Sequence, residues 1–597
     1  MSKQKLELTW IGKEKRPKLE PRILLADPEK SYHAKHRVSD NDIFDNRLIF
    51  GDNLLALKAL EQEFSGQVKC IYIDPPFNTG AAFEHYDDSV EHSIWLGLMR
   101  DRLEILKRLL TRDGVIFIHI DDKEMAYLKI IADEIFGRDQ FLNMIVVKTS
   151  DPSGHKTVNP SPYSQTEYVL MYVRERTAYK YEQIYVESSY DPGYGKFILN
   201  RDEHHSKWQV TGLNEVVAAT LNFDSTRAAR KAMGRMTFDA AVAGYALEHK
   251  DSVFQATAIS DAAGRNIVDA REESKRKRDE VICVKREGFD DVYALNGRQV
   301  YFYSSKVREI DGESVPAKPL TNLWTDIPWN GIANEGSVEF KNGKKPEKLI
   351  KRCLEIATKP GDLVLDSFAG SGTTGAVAHK MRRRWIMIEL GEHCHSHVIP
   401  RLQKVIDGED NGGITESVNW LGGGGFRYYK LAPSLIVNDR WGNAVVNPEY
   451  NAAQLAEALA KLEGFTYGPS EVQWWQHGHS SERDFIYVTT QNLSAEQLQA
   501  LSDEVGSDQS LLVCCAAFHG ITAGKASERW PNLTLKKIPK MVLARCEWGH
   551  DDYSLNVANL PMAQLEKPEP AASVAAPKAK KSATANAGQG GLFGGNE

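Results

Sequence analysis

The sequence predicts an α/β fold built on a doubly wound, mostly parallel sheet, with a smaller α/β domain after it. Short apolar segments alternate with amphipathic segments between residues 46 and 176. A strand, a glycine-rich turn, a helix and a second strand follow one another between residues 362 and 389, and two further strands flank a helix between residues 485 and 514. Strands that alternate with helices form parallel sheets, because each crossover helix returns the chain to the same edge.

The composition is that of a soluble protein with several domains. The chain has 597 residues, of which 42% are hydrophobic, and a net charge of −7, so any contact with nucleic acid must come from local basic patches. Its seven cysteines form no Cys-x-x-Cys pair, which favours a reducing cytoplasm over a disulfide framework. The start is polar and no apolar run approaches about 18 residues, so we expect neither a signal peptide nor a membrane span.

The first elements follow from hydrophobic periodicity. Residues 1–45 are predicted to be an arm on the main body, with one strand-like piece at residues 6–11. Residues 47–50 predict a strand that ends at Asp52, a good N-cap for the amphipathic helix after it. Further strands are predicted at 115–120, 145–148 and 167–172, with helices at 93–110 and around 125–135. We interpret His119, inside an apolar strand, as a satisfied core residue rather than a catalytic one.

Residues 71–80, Ile-Tyr-Ile-Asp-Pro-Pro-Phe-Asn-Thr-Gly, predict a buried strand that ends on a carboxylate. Two prolines cannot donate to a sheet ladder, so the strand must stop at Asp74. Asp74 and the carbonyl of Pro75 are then two acceptors held beside the ring of Phe77. Such a site suits a flat group with an exocyclic amine, although an ordinary turn built on Pro75 and Pro76 explains the same residues.

Residues 362–375 predict a strand that runs through a glycine-rich turn into a helix. Gly370 and Gly372 permit close backbone approach to a ligand, and the free N–H groups at the helix start favour an anionic or polar group. Glu389 ends the next strand, about 20 residues beyond the first glycine, where an acid can accept from ribose hydroxyls. Alone, this pattern fits a nicotinamide or flavin enzyme equally well.

Together the two stretches resemble the signatures of the amino-methylating DNA methyltransferases, Asp-Pro-Pro-Tyr/Phe and Phe-x-Gly-x-Gly. In that family the glycine-rich loop follows the first strand and the Asp-Pro-Pro motif follows the fourth, so the resemblance implies that they meet at the switch point of a Rossmann-like methyltransferase fold. Here the fourth-strand motif comes first, as in the circularly permuted group of the family. Residues 48–57, 74–80 and 323–327 resemble the modification subunits of type III restriction systems.

The resemblance implies S-adenosylmethionine as the cofactor and methyl transfer to N6 of a flipped adenine in double-stranded DNA. It assigns catalysis to Asp74, Pro75, Pro76 and Phe77. It assigns cofactor binding to Asp366, Phe368, Ala369, Gly370, Gly372, Thr373, Glu389 and Asp52. For Asp52, placed near the cofactor's adenine, the N-cap interpretation stays equally open. No metal site is expected, because His393, Cys394, His395 and His397 lack the usual zinc spacing.

Three alternatives remain open. Cytosine-N4 methylation uses the same chemistry, and Phe77 in place of the family's commoner Tyr weakens the preference for adenine. A nicotinamide or flavin oxidoreductase explains the glycine-rich loop but leaves the Asp-Pro-Pro-Phe motif without a role. A DNA-recognition subunit with little turnover of its own would use the same fold mainly to position a partner.

The motifs divide the chain into six predicted regions. An arm (1–45) precedes the catalytic half (46–176), a target-recognition region (177–320) with the basic run 275–278, and the cofactor half (321–432). Four glycines at 422–425 predict a flexible hinge into a strand that closes the cofactor half. Residues 433–560 are predicted to form a C-terminal interaction domain, and the Pro, Ala, Lys and Gly content of 561–597 predicts disorder. The run 589–593 faintly resembles a sliding-clamp-binding peptide.

The expected partners follow from these assignments. The chain shows no helicase or nuclease motif, so we expect restriction to require a separate helicase-nuclease subunit. We also expect double-stranded DNA as a partner, a homodimer, no membrane, and a cytoplasmic, nucleoid-associated location in a prokaryote.

Overall fold

A computed structural model of the chain describes residues 7–77, 88–151, 162–310, 312–329, 331–338, 344–549, 551 and 553. Backbone contacts divide the chain into residues 1–554 and residues 555–597. The predicted disorder of 561–597, the clamp-binding run, Asn78 and Gly80 lie outside the described residues. None of the helices in the described part of the chain combines the length and apolar character that a membrane crossing requires.

The first half of the main domain has the elements that the sequence predicts between residues 46 and 176, plus one strand before them. The elements are β1 (Leu24–His33), β2 (Asn46–Phe50), α1 (Asn53–Phe64), β3 (Val68–Ile73), α2 (Asp88–Leu109), β4 (Leu110–Ile120), α3 (Met125–Phe136), β5 (Phe141–Lys148) and β6 (Thr166–Val173).

The region between the two halves folds around its own core. Its elements are β7 (Tyr185–Glu187), β8 (Lys196–Ile198), β9 (Val210–Gly212), α4 (Leu213–Thr220), α5 (Thr226–Met233), α6 (Arg235–Glu248), β10 (Val253–Ala258), α7 (Arg265–Arg276), β11 (Ile282–Val284), β12 (Val292–Leu295), β13 (Arg298–Phe302), β14 (Val307–Ile310) and β15 (Glu313–Pro319). Strands β8 to β13 form a six-stranded sheet. Within the basic run, Lys275 and Lys277 each pair with a glutamate, Glu272 and Glu273, as on a solvated helix face.

The second half returns to the main sheet and is followed by the C-terminal α/β domain. Its elements are β16 (Leu323–Trp324), α8 (Glu347–Ala357), β17 (Leu363–Asp366), α9 (Thr373–Lys380), β18 (Arg384–Glu389), α10 (Ile399–Asp407) and β19 (Gly425–Leu431). The last domain contains β20 (Ile436–Asn438), β21 (Ala444–Val446), α11 (Ala452–Glu463), β22 (Thr466–Tyr467), β23 (Gly478–His479), β24 (Asp484–Val488), β25 (Asn492–Leu493), α12 (Ala495–Val505), β26 (Ser510–Cys515), β27 (Ala517–Phe518), α13 (Ala523–Arg529), β28 (Leu533–Lys537) and α14 (Ile538–Arg545).

The main sheet has ten strands in the order β1-β19-β2-β18-β17-β3-β4-β6-β5-β16. From β19 to β4 all neighbouring strands run parallel, whereas β1 and β6 pair antiparallel to their neighbours. The predicted mostly parallel α/β sheet is therefore confirmed. Strands β17 and β18, which come late in the chain, lie between β2 and β3, which come early. A circular permutation predicts that placement, and the permutation itself stays a prediction.

Helices cover both faces of this sheet. Helices α8, α9 and α10 share one hydrophobic core with alternate strand residues such as Cys70, Tyr72 and Val364. The intervening residues, such as Ile71 and Ile73, are equally buried, and since successive strand side chains point to opposite faces, they face the other layer. Helices α1, α2 and α3 pack on one another there, with α1 against β18. The sheet is doubly wound, as predicted.

The C-terminal domain is also α/β, as predicted. Strands β24, β26 and β28 run parallel, with β24 and β26 in the predicted positions and α12 between them. Its two cores lie on the two sides of this small sheet. One of them includes Ile23, so the N-terminal arm packs against the C-terminal domain.

The prediction for the N-terminal arm was partly wrong. Residues 7–11 form no strand, and the arm's strand is β1, which pairs with β19 at the sheet edge. The stretch that the sequence marked as a strand is held instead by polar contacts: the Leu8 N–H and the Lys13 ammonium both bind the carboxylate of Glu134 on α3. β1 was missed because its middle, Asp-Pro-Glu-Lys-Ser, is polar and carries an irregular register.

The predicted flexible hinge at residues 422–425 was also wrong. Gly422, Gly423 and Gly424 all have positive φ, and a Cβ added at Gly424 would lie 2.6 Å from the carbonyl oxygen of Ile43 and 3.0 Å from the His379 ring. The Gly425 N–H donates to that same Ile43 carbonyl. The glycines therefore form a tightly packed turn, in which the missing side chains allow two backbone segments to touch.

We expect Gly424→Ala to lower thermal stability more than Gly361→Ala. Both glycines have positive φ, but a Cβ at Gly361 meets nothing within 4 Å. The Gly361 variant carries only the backbone strain of about 1–2 kcal/mol, whereas the Gly424 variant adds an overpacking cost of about 1–3 kcal/mol. Melting followed by circular dichroism measures the difference, and equal shifts for the two variants would contradict the packed turn.

Candidate active site

The two predicted motifs lie side by side at one edge of the main sheet. β3 and β17 are parallel neighbours, with Cys70 opposite Val364 and Ile71 opposite Leu365. Because parallel strands end at the same edge, Asp74 after β3 and Asp366 at the end of β17 meet there. The charge of Asp74 is accordingly among the influences that raise the pKa of Asp366. Asp74 and Asp366 are nearly 300 residues apart in the sequence, and the pairing of β3 with β17 brings them together.

The Asp-Pro-Pro-Phe turn is fixed by a buried tryptophan. Trp95 of α2 is fully buried and donates its ring N–H to the carbonyl of Pro76 at 2.9 Å. Pro75 is buried and Phe77 half-buried, so the phenyl ring keeps an accessible surface. The hydrogen bond therefore fixes the backbone of the turn, and part of the Phe77 ring stays accessible.

Asp74 has one oxygen in an ion pair and one without a partner. Its Oδ2 lies 3.3 Å from the ammonium of Lys345, whereas Oδ1 is buried and has no hydrogen-bond partner in the part of the chain that the structure describes. Burial raises the pKa of the Asp74 carboxyl, and the charge of Lys345 opposes that rise. Leaving a buried acceptor unpaired costs about 1–3 kcal/mol, so Oδ1 is poised for a donor supplied by a ligand.

A charged cluster behind Asp74 was not found from the sequence. Lys345 also lies 3.3 Å from Oε2 of Glu167, and the same oxygen lies 2.7 Å from Nε2 of His119. The other ring nitrogen of His119 pairs with the hydroxyl of Tyr72 at 2.8 Å. Burial pushes the pKa of Glu167 upward, but His119 and Lys345 outweigh it and lower it to about 2.

His119 is buried, as the sequence predicted, and its two ring nitrogens lie close to Tyr72 and Glu167, so it belongs to the surroundings of the site. Lys345 and Glu167 come from a loop and a strand that only the folded sheet brings to Asp74. A glutamate at the start of the apolar strand β6 was the one available signal, since a charged residue in a sheet interior needs a partner.

The glycine-rich turn forms a backbone cradle above β17. Gly370 has φ +54° and Gly372 φ +77°, and a Cβ at Gly370 would meet nothing closer than 3.9 Å. The turn therefore has open space beside Gly370, which leaves room for the close approach of a ligand that the sequence predicts. Asp366 braces the turn from below, because the Phe368 N–H and the Thr374 hydroxyl donate to its two oxygens at 2.9 and 2.6 Å. Burial raises the pKa of Asp366 to about 7.

Further residues of the turn are held by buried charges. Ala369 donates its N–H to the carbonyl of Ile388, which joins the turn to β18. The hydroxyl of Thr373, the first residue of α9, accepts from the guanidinium of Arg401 at 2.8 Å, and Arg401 also binds the carboxylate of Glu347 at 2.8 Å. Both charged residues are fully buried, so the cradle rests on a closed ion pair.

Glu389 ends β18 as predicted and is tied to the cradle. Its Oε2 accepts the N–H of Gly370 at 2.7 Å, its Oε1 accepts the N–H groups of Leu390 and Gly391 at 2.9 Å, and His393 Nε2 lies 3.1 Å from the same Oε1. A carboxylate has about four lone-pair directions, and Oε2 has one protein partner among the described residues. That oxygen can still accept from a ligand hydroxyl.

Asp52 is the N-cap of α1, one of the two interpretations left open by the sequence. Its Oδ1 accepts the N–H of Leu55 at 3.0 Å. Its Oδ2 accepts the N–H of Tyr553 at 2.8 Å and lies 3.5 Å from Arg102. Since Asp52 is fully buried, a role in binding adenine would require Tyr553 to leave it, and that role stays a prediction.

Two of the histidines after Glu389 pair with other side chains. His393 pairs with Glu389, and His395 lies 2.8 Å from the hydroxyl of Tyr428 and 3.1 Å from Glu392. Across the described ranges, no group of three or more His, Cys, Asp or Glu side chains is arranged to hold a metal ion.

Comparison with known sequences gives a consistent result. Residues 68–399 match the family described as DNA methylase. The chain is 35% identical to the "Probable type III restriction-modification enzyme HindVI Mod subunit" of Haemophilus influenzae, over 68% of this chain and 57% of the relative. It is 28% identical to the EcoPI Mod subunit of Escherichia phage P1, over 64% and 62%, and 24% identical to the EcoP15I Mod subunit of Escherichia coli, over 90% of each. The chain thus spans about three fifths of the length of the first two relatives.

We expect Asp366→Asn to change how stability depends on pH. The folded-state pKa of Asp366 is raised to about 7, above an unfolded value of about 3.9. The wild-type protein therefore loses stability as pH rises from about 4 to about 7, and this loss is complete above that range. Asparagine has a similar shape and does not titrate; its oxygen can accept the Phe368 N–H, and its NH2 group can donate to the Thr374 hydroxyl, which reverses that hydrogen bond.

The measurement is the melting temperature of both proteins between pH 5 and 8. The variant should gain on the wild type as pH rises to about 7, and the difference should then level off. A difference independent of pH would show that Asp366 is ionised throughout and that its burial does not govern its titration.

Proposed function

The chain belongs to the DNA methylase family, and we propose that it transfers a methyl group from S-adenosylmethionine to N6 of adenine in double-stranded DNA. The observation that carries this proposal is Oδ1 of Asp74, which is buried, has no hydrogen-bond partner among the described residues and lies beside the glycine-rich cradle. An acceptor in that position suits an amino group, which must face both the carboxylate and the methyl donor. Asp at the first position of the motif supports adenine over cytosine by resemblance to the family.

The substrate base would have to leave the DNA stack to reach this edge of the sheet. Flipping costs a few kcal/mol, and stacking on the half-exposed ring of Phe77 would recover about 1–3 kcal/mol. Asp74 Oδ1 and the Pro75 carbonyl would accept the two amino protons and draw the nitrogen lone pair out of the ring. As positive charge develops on the nitrogen, the fixed acceptors stabilise the transition state more than the neutral base, which lowers the barrier.

The residues of the cradle fit the proposed cofactor. Phe368, Ala369, Gly370, Gly372 and Thr373 line the turn, Asp366 lies under it, and Glu389 has an acceptor free for a ribose hydroxyl. S-adenosylmethionine, when bound, supplies an electrophilic methyl group on a sulfonium. The carboxylates of Asp74 and Glu389 give this edge of the sheet a negative character that suits a cationic centre.

The biological setting is part of the same proposal. Three relatives are named as Mod subunits of type III restriction-modification enzymes, which supports a role as the modification subunit of such a system. Residues 177–320 would then recognise the target sequence, and a separate helicase-nuclease subunit would carry out restriction. A homodimer and a cytoplasmic, nucleoid-associated location belong to this proposal as well.

Incubation of the protein with S-adenosylmethionine and unmethylated genomic DNA should yield N6-methyladenine. Digestion of the DNA to nucleosides and mass spectrometry identify the product. Detection of N4-methylcytosine would change the proposed target base to cytosine and leave the proposed chemistry unchanged. Specific DNA binding without methylated product would instead favour a recognition subunit with little turnover.

We expect Asp74→Ala to reduce methyl transfer by at least about 100-fold, because one preorganised electrostatic partner of the reacting group is worth about 10²–10³ in rate. Binding of S-adenosylmethionine, measured by calorimetry, should persist. Asp113→Ala is the matched control, since Asp113 forms a half-exposed pair with Lys69 and such pairs contribute little. Turnover at wild-type rate in the Asp74 variant would refute its proposed role.

A further inference from the structure

We propose that Lys345 is a positioning residue of the methyl-transfer site: its ammonium holds one oxygen of Asp74, so that the other oxygen is presented to the substrate amine. The inference rests on the proposed function of Asp74. It adds a residue that no sequence motif identified and a reason for the charged cluster behind the site.

The contacts of Lys345 are divided between two carboxylates and one ring. Its Nζ lies 3.3 Å from Asp74 Oδ2, 3.3 Å from Glu167 Oε2 and 4.6 Å from the centre of the Phe77 ring. The side chain is only 8% exposed. A lysine this well buried must be paired to remain charged, and both of its carboxylate partners border the site.

The asymmetry at Asp74 follows from this ion pair. Lys345 occupies Oδ2, while Oδ1 is buried without a partner among the described residues. Since a carboxylate rotates about one bond, fixing Oδ2 also fixes where Oδ1 points. The cation above Phe77 likewise restrains the ring on which the base would stack. One ammonium therefore orients both of the groups that would contact the base.

Glu167 has the opposite electrostatic effect. Its negative charge, held by Lys345 and by His119, works together with burial to favour protonation of Asp74, whereas Lys345 favours ionisation. The groups that face Asp74 are Tyr72 on its own strand, His119 on β4, Glu167 on β6, Lys345 before α8 and Asp366 on β17. Removing Lys345 or Glu167 should therefore shift the titration of Asp74 in opposite directions.

The test is the pH dependence of kcat for methyl transfer by the full-length protein. Lys345→Met should move the acidic limb to higher pH by about one unit or more, since an opposite charge within about 4–6 Å lowers a carboxyl pKa by about 1–3 units. At pH values below the shifted limb, kcat of the Lys345→Met variant should be at least about 10-fold lower than that of the wild type. At high pH much of this difference should disappear. Lys345→Arg should keep the wild-type limb, and Glu167→Gln should move it to lower pH.

Two controls separate this role from a structural one. Lys348 lies on α8, half-exposed and 3.5 Å from Asp326, so Lys348→Met should leave the profile unchanged. The His119→Gln variant should retain the acidic limb. Disappearance of the limb in this variant would assign it to His119 instead. A rate loss in Lys345→Met that is equal at every pH would mean that Lys345 only supports the fold, and it would overturn the proposal.

A double-mutant cycle tests the ion pair without any assay of turnover. Melting temperatures of Asp74→Asn, Lys345→Met and the double variant should be non-additive, with the double variant less destabilised than the sum. Lys345→Met leaves the Asp74 carboxylate without its cation, and Asp74→Asn leaves the Lys345 ammonium with Glu167 alone. Additive values would overturn the inference. Coupling in a protein that transfers no methyl group would overturn the proposed function and keep the ion pair, so the two failures are distinguishable.

Discussion

The parallel pairing of β3 with β17 is the constraint on which the site depends. These two short strands come from opposite ends of the main domain, yet their register places Ile71 beside Leu365. Because these strands are buried and apolar apart from Lys69 and the terminal Asp366, a slip of one residue would turn core side chains to the wrong face. The register therefore fixes the position of Asp74 relative to Asp366 and the glycine-rich turn. This alignment does not depend on the conformation of a loop.

The cost of this arrangement is the meeting of carboxylates at one sheet edge. Burial raises the pKa of Asp74 and of Asp366, and Glu389 ends the neighbouring strand. The pKa of Asp366 is raised to about 7 and its oxygens accept from the turn, Glu389 accepts three backbone N–H groups, and Asp74 lies beside the Lys345 ammonium. The three acids therefore differ in the groups that contact them, and these contacts rather than the residue type determine their roles.

The sequence predicted what depends on local pattern and on contiguous motifs. Strand ends at Asp74 and Glu389, the open turn at Gly370 and the alternation of helices and strands follow from residues that are neighbours in the chain. Lys345 and Glu167 were missed because their meaning comes from a strand order that periodicity does not contain. The packed turn at Gly424 was misread for a related reason: flexible and tightly crowded glycines look alike until the opposing Ile43 carbonyl is placed.

A region of about 140 residues can interrupt the sheet without disturbing the site. The chain leaves after β6 and returns at β16, and β7 and β15 pair at the base of the insertion, with Tyr185 opposite Pro319. The Leu320 N–H donates to the Ile184 carbonyl at 2.8 Å, which closes the neck. Since the insertion buries its own core, its surface can vary while β3 and β17 stay in register. The proposed recognition region and the site therefore rest on separate cores, joined through a neck of two antiparallel strands.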